Sequence, residues 1–228
     1  MDDNNSYRYE RKFLIDGTDR YTVERIIRSN TQNLKTLFPP RRINNIYFDD
    51  IEMHAFHDNL EGITNRRKFR IRWYGNDIYG LIHKPVLEIK IRNNSVGMKE
   101  KYSLPPISLN NKTSHLDIRE ILLKSNIPSI RKEELMRLSP KLVNGYSRKY
   151  LISSDKKYRL TLDNDLFYIK SNQRKIFSNY KITNTKSTVM EIKYNRDDDD
   201  KISKLTSQFD FRLTKNSKYV NGVYKLYF

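Results

Sequence analysis

The sequence predicts an α+β protein: an antiparallel β-barrel of about eight strands forming a charged tunnel, with helices packed outside. Two stretches carry that expectation. In Lys68-Phe-Arg-Ile-Arg-Trp-Tyr-Gly75, Arg70 and Arg72 fall on one face of a strand, and Phe69, Ile71 and Trp73 on the other. In Leu87-Glu-Ile-Lys-Ile-Arg92, Glu88, Lys90 and Arg92 share a face opposite Leu87, Ile89 and Ile91. At least five strands read this way, apolar on one side and charged on the other. A barrel with a polar lumen buries the apolar side under helices. An antiparallel sheet with one charged face in water gives the same alternation.

Taken in order, residues 1–6 read as frayed and Tyr7 to Ile15 as a strand with Glu10 and Lys12 on one face. Thr18 or Asp19 can cap a helix to about Ser29. Pro39-Pro40 breaks regular structure, and Ile43 to Asp49 is a strand with Ile46 and Phe48 on one side and Tyr47 and Asp49 on the other. Ile51 to Leu60 reads as a short helix. Arg66 to Tyr74 and Pro85 to Arg92 are the two charged strands, and the connection holding Asn76 and Gly80 reads as a hairpin turn. A turn at Asn93-Asn-Ser-Val-Gly97 leads to a strand from Met98 to Leu104, then a loop from Pro105 to Asn111.

Leu116 to Lys124 and Arg131 to Leu138 read as helices. Asn144-Gly145 opens a strand to Ile152, and Tyr158 to Asp163 is the next, with Arg159, Thr161 and Asp163 on one face. Leu166 to Tyr180 reads as a strand and a loop. Thr188 to Tyr194 is a strand with Glu191 and Lys193 on one face. The acids Asp197 to Asp200 suit the start of a helix running to about Phe209. Ser217 to Phe228 closes the chain. No repeat or linker interrupts it, so residues 1–228 read as a single domain.

The 228 residues carry 44 Lys and Arg against 27 Asp and Glu, a formal charge of +17, which points to an anionic partner. Much of that excess can be solvated surface, so placement decides. There is no cysteine, which excludes disulfides and thiolate metal sites. The polar Met-Asp-Asp-Asn-Asn-Ser start is unlike a secretory signal, and no apolar run approaches ~18 residues, so a soluble cytoplasmic protein with no transmembrane segment is expected.

Several segments together resemble one family. They are Glu10-Arg-Lys-Phe13, Asn45-Ile-Tyr-Phe-Asp49, Phe69-Arg-Ile-Arg-Trp-Tyr-Gly75, Leu87-Glu-Ile-Lys90, Val96-Gly-Met-Lys-Glu-Lys101, Tyr146-Ser-Arg-Lys149, Tyr158-Arg-Leu-Thr-Leu-Asp163, Val189-Met-Glu-Ile-Lys193 and Lys218-Tyr-Val-Asn-Gly222. In this order they resemble the VTC domain, the catalytic module of vacuolar transporter chaperone-type polyphosphate polymerases. These belong to the triphosphate tunnel metalloenzymes, relatives of the CYTH proteins.

The resemblance implies a metal-dependent phosphotransferase that adds the ATP γ-phosphate to a growing polyphosphate chain. It implies that Lys12, Arg70, Arg72, Lys90, Arg159 and Lys218 are catalytic, and that Lys99, Lys101, Arg148 and Lys193 join them in gripping phosphate. It implies that Glu191 holds Mn²⁺ or Mg²⁺. Glu10 stands where relatives begin a Glu-x-Glu-x-Lys motif, here cut to Glu-Arg-Lys, as a second ligand. Lys101 replaces an Arg common in the family. The family's SPX domain and transmembrane helices have no counterpart in these residues, and no membrane-protein partner is identified. ATP and polyphosphate are the implied partners.

A tunnel triphosphatase that hydrolyses inorganic triphosphate or nucleoside triphosphates would use the same residues. A basic nucleic-acid-binding module is the third reading, resting on charge and on 16 Tyr. The alternation of Arg with large apolar residues argues against it. Residue by residue, Arg70 could also be a strand-face ion pair, Glu191 a salt-bridge partner, and Lys218 plain surface.

Overall fold

A computed structural model describes residues 8–29, 32–93, 96–172 and 174–228 of the chain. Fraying of residues 1–6, the strand start at Tyr7 and the turn at Asn94 and Ser95 lie outside the described residues. The strands are β1 (Arg8–Asp16), β2 (Lys35–Asp49), β3 (Arg66–Tyr74), β4 (Gly80–Ile82), β5 (Val86–Asn93), β6 (Val96–Ser103), β7 (Ile107–Leu109), β8 (Ser139–Ile152), β9 (Arg159–Lys170), β10 (Lys181–Asn184) and β11 (Ser187–Asn195). The helices are α1 (Arg20–Arg28), α2 (His54–Glu61), α3 (His115–Lys124), α4 (Ser129–Met136), α5 (Asp199–Thr206) and α6 (Lys218–Tyr227). No helix among the described residues is long and apolar enough to cross a membrane.

The large sheet runs β1-β11-β9-β8-β2-β3-β5-β6, with β10 beside β9, and β4 pairs with β7 separately. The architecture is mixed α+β with a large antiparallel sheet, as expected. The expected closure is not seen: among the described residues β1 and β6 stand at opposite ends of the path and the sheet does not close into a barrel.

The chain divides into two compact units. The first holds the described residues to Arg41, Tyr146–Leu166 and Asn184–Asn216. Its core forms where alternate residues meet in register: Phe13 opposite Met190, Met190 opposite Leu162, and Ile192 opposite Leu160. Val23 and Ile27, one turn apart on α1, and Ile202 and Leu205 on α5 join that cluster. Asp19 starts α1, its side chain accepting from the Tyr21 and Thr22 amides at 2.9 and 3.1 Å.

The second unit holds Arg42–Gly145, Phe167–Thr183 and Ser217–Phe228. Phe69, Ile71 and Trp73 of β3 and Leu87, Ile89 and Ile91 of β5 are all buried, in one cluster with Ile118 and Leu122 of α3 and Leu135 of α4. Burying each such side chain contributes about 1.5–3 kcal/mol. The apolar face of the Arg-x-Arg strand is therefore under helices, and its other face is left for charge.

Four local expectations are corrected. Pro39 and Pro40 do not break the chain; both are exposed and lie inside β2, because proline's fixed φ tolerates extended backbone where no ladder donor is needed. Gly145 does not open a strand but sits within β8. A Cβ there would stand 2.4 Å from the Phe167 ring and 2.6 Å from Asn44 Oδ1, so the glycine answers a close approach rather than a turn. The segments read as a hairpin turn and a loop each carry a short strand, β4 and β7, in mutual register. Residues 217–228, left without an element, form α6 with Tyr219, Val223 and Leu226 buried.

Candidate active site

The second unit carries the Arg-x-Arg strand and the strands beside it. Register places Arg70 opposite Glu88 and Glu88 opposite Lys101; it places Lys68 opposite Lys90 and Lys90 opposite Lys99. All these side chains project to the face away from the buried Phe69, Ile71 and Trp73. Like charges directly opposed on a sheet repel. Lys99 turns from this row to Glu88, 2.6 Å away, and Lys68 donates to Asn59 and Ser217.

Glu88 anchors the next row. Its side chain is only 5% exposed and accepts from Arg70 Nε at 2.8 Å and Nη2 at 2.6 Å, from Arg72 Nη1 at 3.3 Å, and pairs with Lys99 Nζ at 2.6 Å. Burial alone would raise its pKa, but Arg70, Arg72 and Lys99 outweigh that and hold it at about 2. The same crowding acts on Lys99: burial, with repulsion from Arg72 and Arg70, lowers its pKa to about 8 in spite of Glu88. Three cations on one carboxylate leave a net positive charge fixed in place.

Asn45 and Tyr47 of β2 flank this row on the same face, opposite Arg72 and Arg70. Asn45 accepts from Arg72 Nε at 3.3 Å and donates to Asn144 Oδ1 at 2.9 Å, so a buried amide pair steadies the guanidinium. The Tyr47 oxygen accepts from Arg70 Nη1 at 3.0 Å. Its ring stacks on Tyr219 with centroids 5.3 Å apart.

Tyr219 and Lys218 open α6, whose first turn is tied down twice. Ser217 caps the helix, accepting from the Val220 amide at 3.4 Å and from Lys68 Nζ at 3.2 Å; Lys68 also donates to Asn59 of α2 at 2.5 Å. The Tyr219 hydroxyl donates to buried Asp49, which also accepts from the Ala55 and Phe56 amides at 2.9 and 3.0 Å. Asp49 thereby caps α2, whose own cap residue Met53 is left-handed and offers no side-chain bond. The N-terminus of α6 adds partial positive charge near Lys218.

The first unit brings together the other residues. Register pairs Glu10 with Lys193 and Lys12 with Glu191 on β1 and β11, and Glu191 with Thr161 and Lys193 with Arg159 on β9. Lys12 Nζ lies 2.6 Å from Glu10 and 3.9 Å from Glu191, while Lys193 Nζ lies 3.6 Å from Glu10 and 3.1 Å from Glu191. Arg148 grips buried Asp163 with Nε and Nη2 at 2.6 and 2.7 Å. Burial opposes the Arg148 charge, but Asp163, Tyr146 and Glu191 prevail and raise its pKa.

Lys12, Arg148, Arg159, Lys193, Glu10 and Glu191 therefore lie in the first unit. Arg70, Arg72, Lys90, Lys99, Lys101 and Lys218 lie in the second. Lys90, Lys101, Arg159 and Lys193 are exposed.

Among the described residues no group of three His, Asp or Glu comes together to cage a metal ion. Glu10 and Glu191, sharing Lys12 and Lys193, offer hard oxygen donors. Both carboxylates are engaged by those two ammonium groups.

Tyr47, Asn45, Asn144, Asp49 and Tyr219 were not among the expected site residues. Parity in Asn45-Ile-Tyr-Phe-Asp49 already sets Tyr47 and Asn45 away from buried Ile46. Their partners are distant in sequence, and only register supplies them.

The fold is mixed α+β, its strands burying one face and carrying a cluster of cations on the other. The chain belongs to the VTC domain family, whose model matches residues 7–227. No curated protein matches it. Three solved structures share the fold. A candidate adenylate cyclase from Vibrio parahaemolyticus is 10% identical with a TM-score of 0.50, covering 94% of this chain and 96% of its own. A Pyrococcus horikoshii protein is 11% identical with a TM-score of 0.52, covering 96% and 99%. A candidate adenylyl cyclase from Hippeastrum, described as having a dominant triphosphatase activity, is 14% identical with a TM-score of 0.50, covering 95% of each chain.

Proposed function

We propose that this chain transfers the γ-phosphate of ATP to the end of an inorganic polyphosphate chain, releasing ADP. In this reading the charged strand faces line a tunnel. The supporting observation is the surplus of cations over carboxylate at Glu88, where Arg70, Arg72 and Lys99 meet one acid, in a chain of the VTC family.

The chemistry asks little of a base. A terminal phosphate oxygen is already anionic near neutral pH, so alignment and charge neutralisation carry the transfer. Arg70 and Arg72, held by Glu88, Tyr47 and Asn45, present guanidinium groups for bidentate phosphate contacts. Lys90, Lys99, Lys101 and Lys218 supply point charge on the same unit, and Lys12, Arg148, Arg159 and Lys193 do so on the other. Glu191 and Glu10 would hold the divalent cation, Mn²⁺ or Mg²⁺, which supplies neutralisation of phosphate charge when bound.

The test is incubation with ATP and Mn²⁺ or Mg²⁺, followed by separate assays for polymer and orthophosphate. Polymer with stoichiometric ADP supports the reading. Orthophosphate alone replaces it with hydrolysis of a triphosphate, the activity described for the Hippeastrum protein. Neither product overturns both.

A further inference from the structure

Tyr47 is 6% exposed, and the charges that face it are cationic. From β3, Arg70 donates to its oxygen at 3.0 Å and Arg72 stands beside it; from α6 comes Lys218. The carboxylates of the neighbourhood are committed elsewhere. Glu88 on β5 is taken by Arg70, Arg72 and Lys99, and Asp49 by Tyr219 and the α2 amides. The ring is held in place by its stack on Tyr219.

We propose that Tyr47 is a proton-exchanging member of the anion site: with no polyanion bound its oxygen shares negative charge with Arg70, Arg72 and Lys218, and polyphosphate binding returns a proton to it. This rests on the reading of that face as a polyphosphate site.

Burial alone favours the neutral phenol, but Arg70, then Arg72 and Lys218, reverse that and lower its pKa. A bound polyphosphate would bring several negative charges to the same three cations. Their pull on the phenol oxygen falls, and a phenolate beside phosphate oxygens is a like-charge contact. The balance is one proton taken from solvent and one O–H bond formed, with no electron transferred. Lys99, held at about 8, gains a proton for the same reason, so proton counting alone does not separate the two groups.

The experiment titrates the full chain with inorganic tripolyphosphate at fixed values from about pH 7 to about pH 10, spanning the region below the ordinary tyrosine pKa. The near-ultraviolet phenolate band is read throughout, and calorimetry in two buffers of different ionisation enthalpy reports binding and proton uptake. The wild type loses phenolate absorbance in step with binding. Tyr47→Phe binds without that loss and keeps the smaller uptake from Lys99. Lys99→Arg keeps the absorbance loss and drops that uptake. Lys218→Gln, which leaves the Tyr47 side chain intact, moves the wild-type transition to higher pH.

Binding without an absorbance change, or the same change in Tyr47→Phe with its 15 remaining tyrosines (one fewer than 16), overturns the inference and leaves the polyphosphate site standing. Absence of binding overturns both.

Discussion

The Tyr219 hydroxyl donates to Asp49 Oδ2 at 2.5 Å, and through that bond the end of β2 fixes the first turn of α6. Lys218 is the preceding residue, and Asp49 also caps α2. One buried carboxylate thus sets two helix starts. Tyr219→Phe removes the donor and leaves Asp49 its backbone amides. A loss of about 1.5–3 kcal/mol is expected for a bond to a charged group, read by urea unfolding. Turnover should fall further than stability requires at temperatures where the variant is fully folded, because Lys218 loses its fixed position.

Arg72→Ala should abolish product formation with little loss of fold. Glu88 keeps Arg70 and Lys99 in the variant, so no carboxylate is left buried and alone. Circular dichroism and an ATP-to-polymer assay check the two halves. Full activity in this variant, or in Lys218→Ala, removes the site assignment.

Glu88 makes the protein acid-sensitive. Its folded pKa is about 2 against an ordinary 4.5, so its stabilisation is complete above 4.5 and disappears as pH falls through that value towards 2. The loss is on the order of 3 kcal/mol at one pKa unit per 1.36 kcal/mol. Glu88→Gln should be less stable near neutrality, with Arg70, Arg72 and Lys99 mutually exposed, and should lose part of the acid dependence. Thermal midpoints across that range measure it.

Lys99 sets an alkaline limit. The ligand-free amine loses its charge as pH rises through about 8, so tripolyphosphate affinity should weaken above that value. Lys99→Arg keeps a permanent charge and should flatten that limb of the affinity profile.

Arg148 and Asp163 form a buried pair whose halves depend on each other. Asp163→Ala leaves the guanidinium without its partner at a cost of about 3–5 kcal/mol, whereas an exposed pair such as Lys124 with Glu120 should cost almost nothing. Denaturant midpoints of the two variants make the comparison.

Period-two alternation made the charged strands legible, because a residue's face depends only on its parity. Arg70 and Arg72 opposite Phe69, Ile71 and Trp73, and Glu10 with Lys12 on one face of β1, follow from it. Family membership followed from ordered short segments. What stayed illegible is non-local. Gly145 looks like a turn residue until Phe167 and Asn44 arrive against it. β4 and β7 are three residues each and need one another. The Glu88 cluster gathers β3, β5 and β6, and local pattern does not say which cation reaches which carboxylate. Sheet closure depends on strands at opposite ends of the order, which parity does not address.

The last strand of that order also forms an edge among the described residues. β6 ends the path with Met98 half open to water, the kind of unpaired border onto which another chain's strand can add. Lys99 and Lys101 lie on it, and lysine on an edge strand disfavours such pairing. A charge-removing substitution at either lysine would therefore change the character of that edge as well as of the cation cluster.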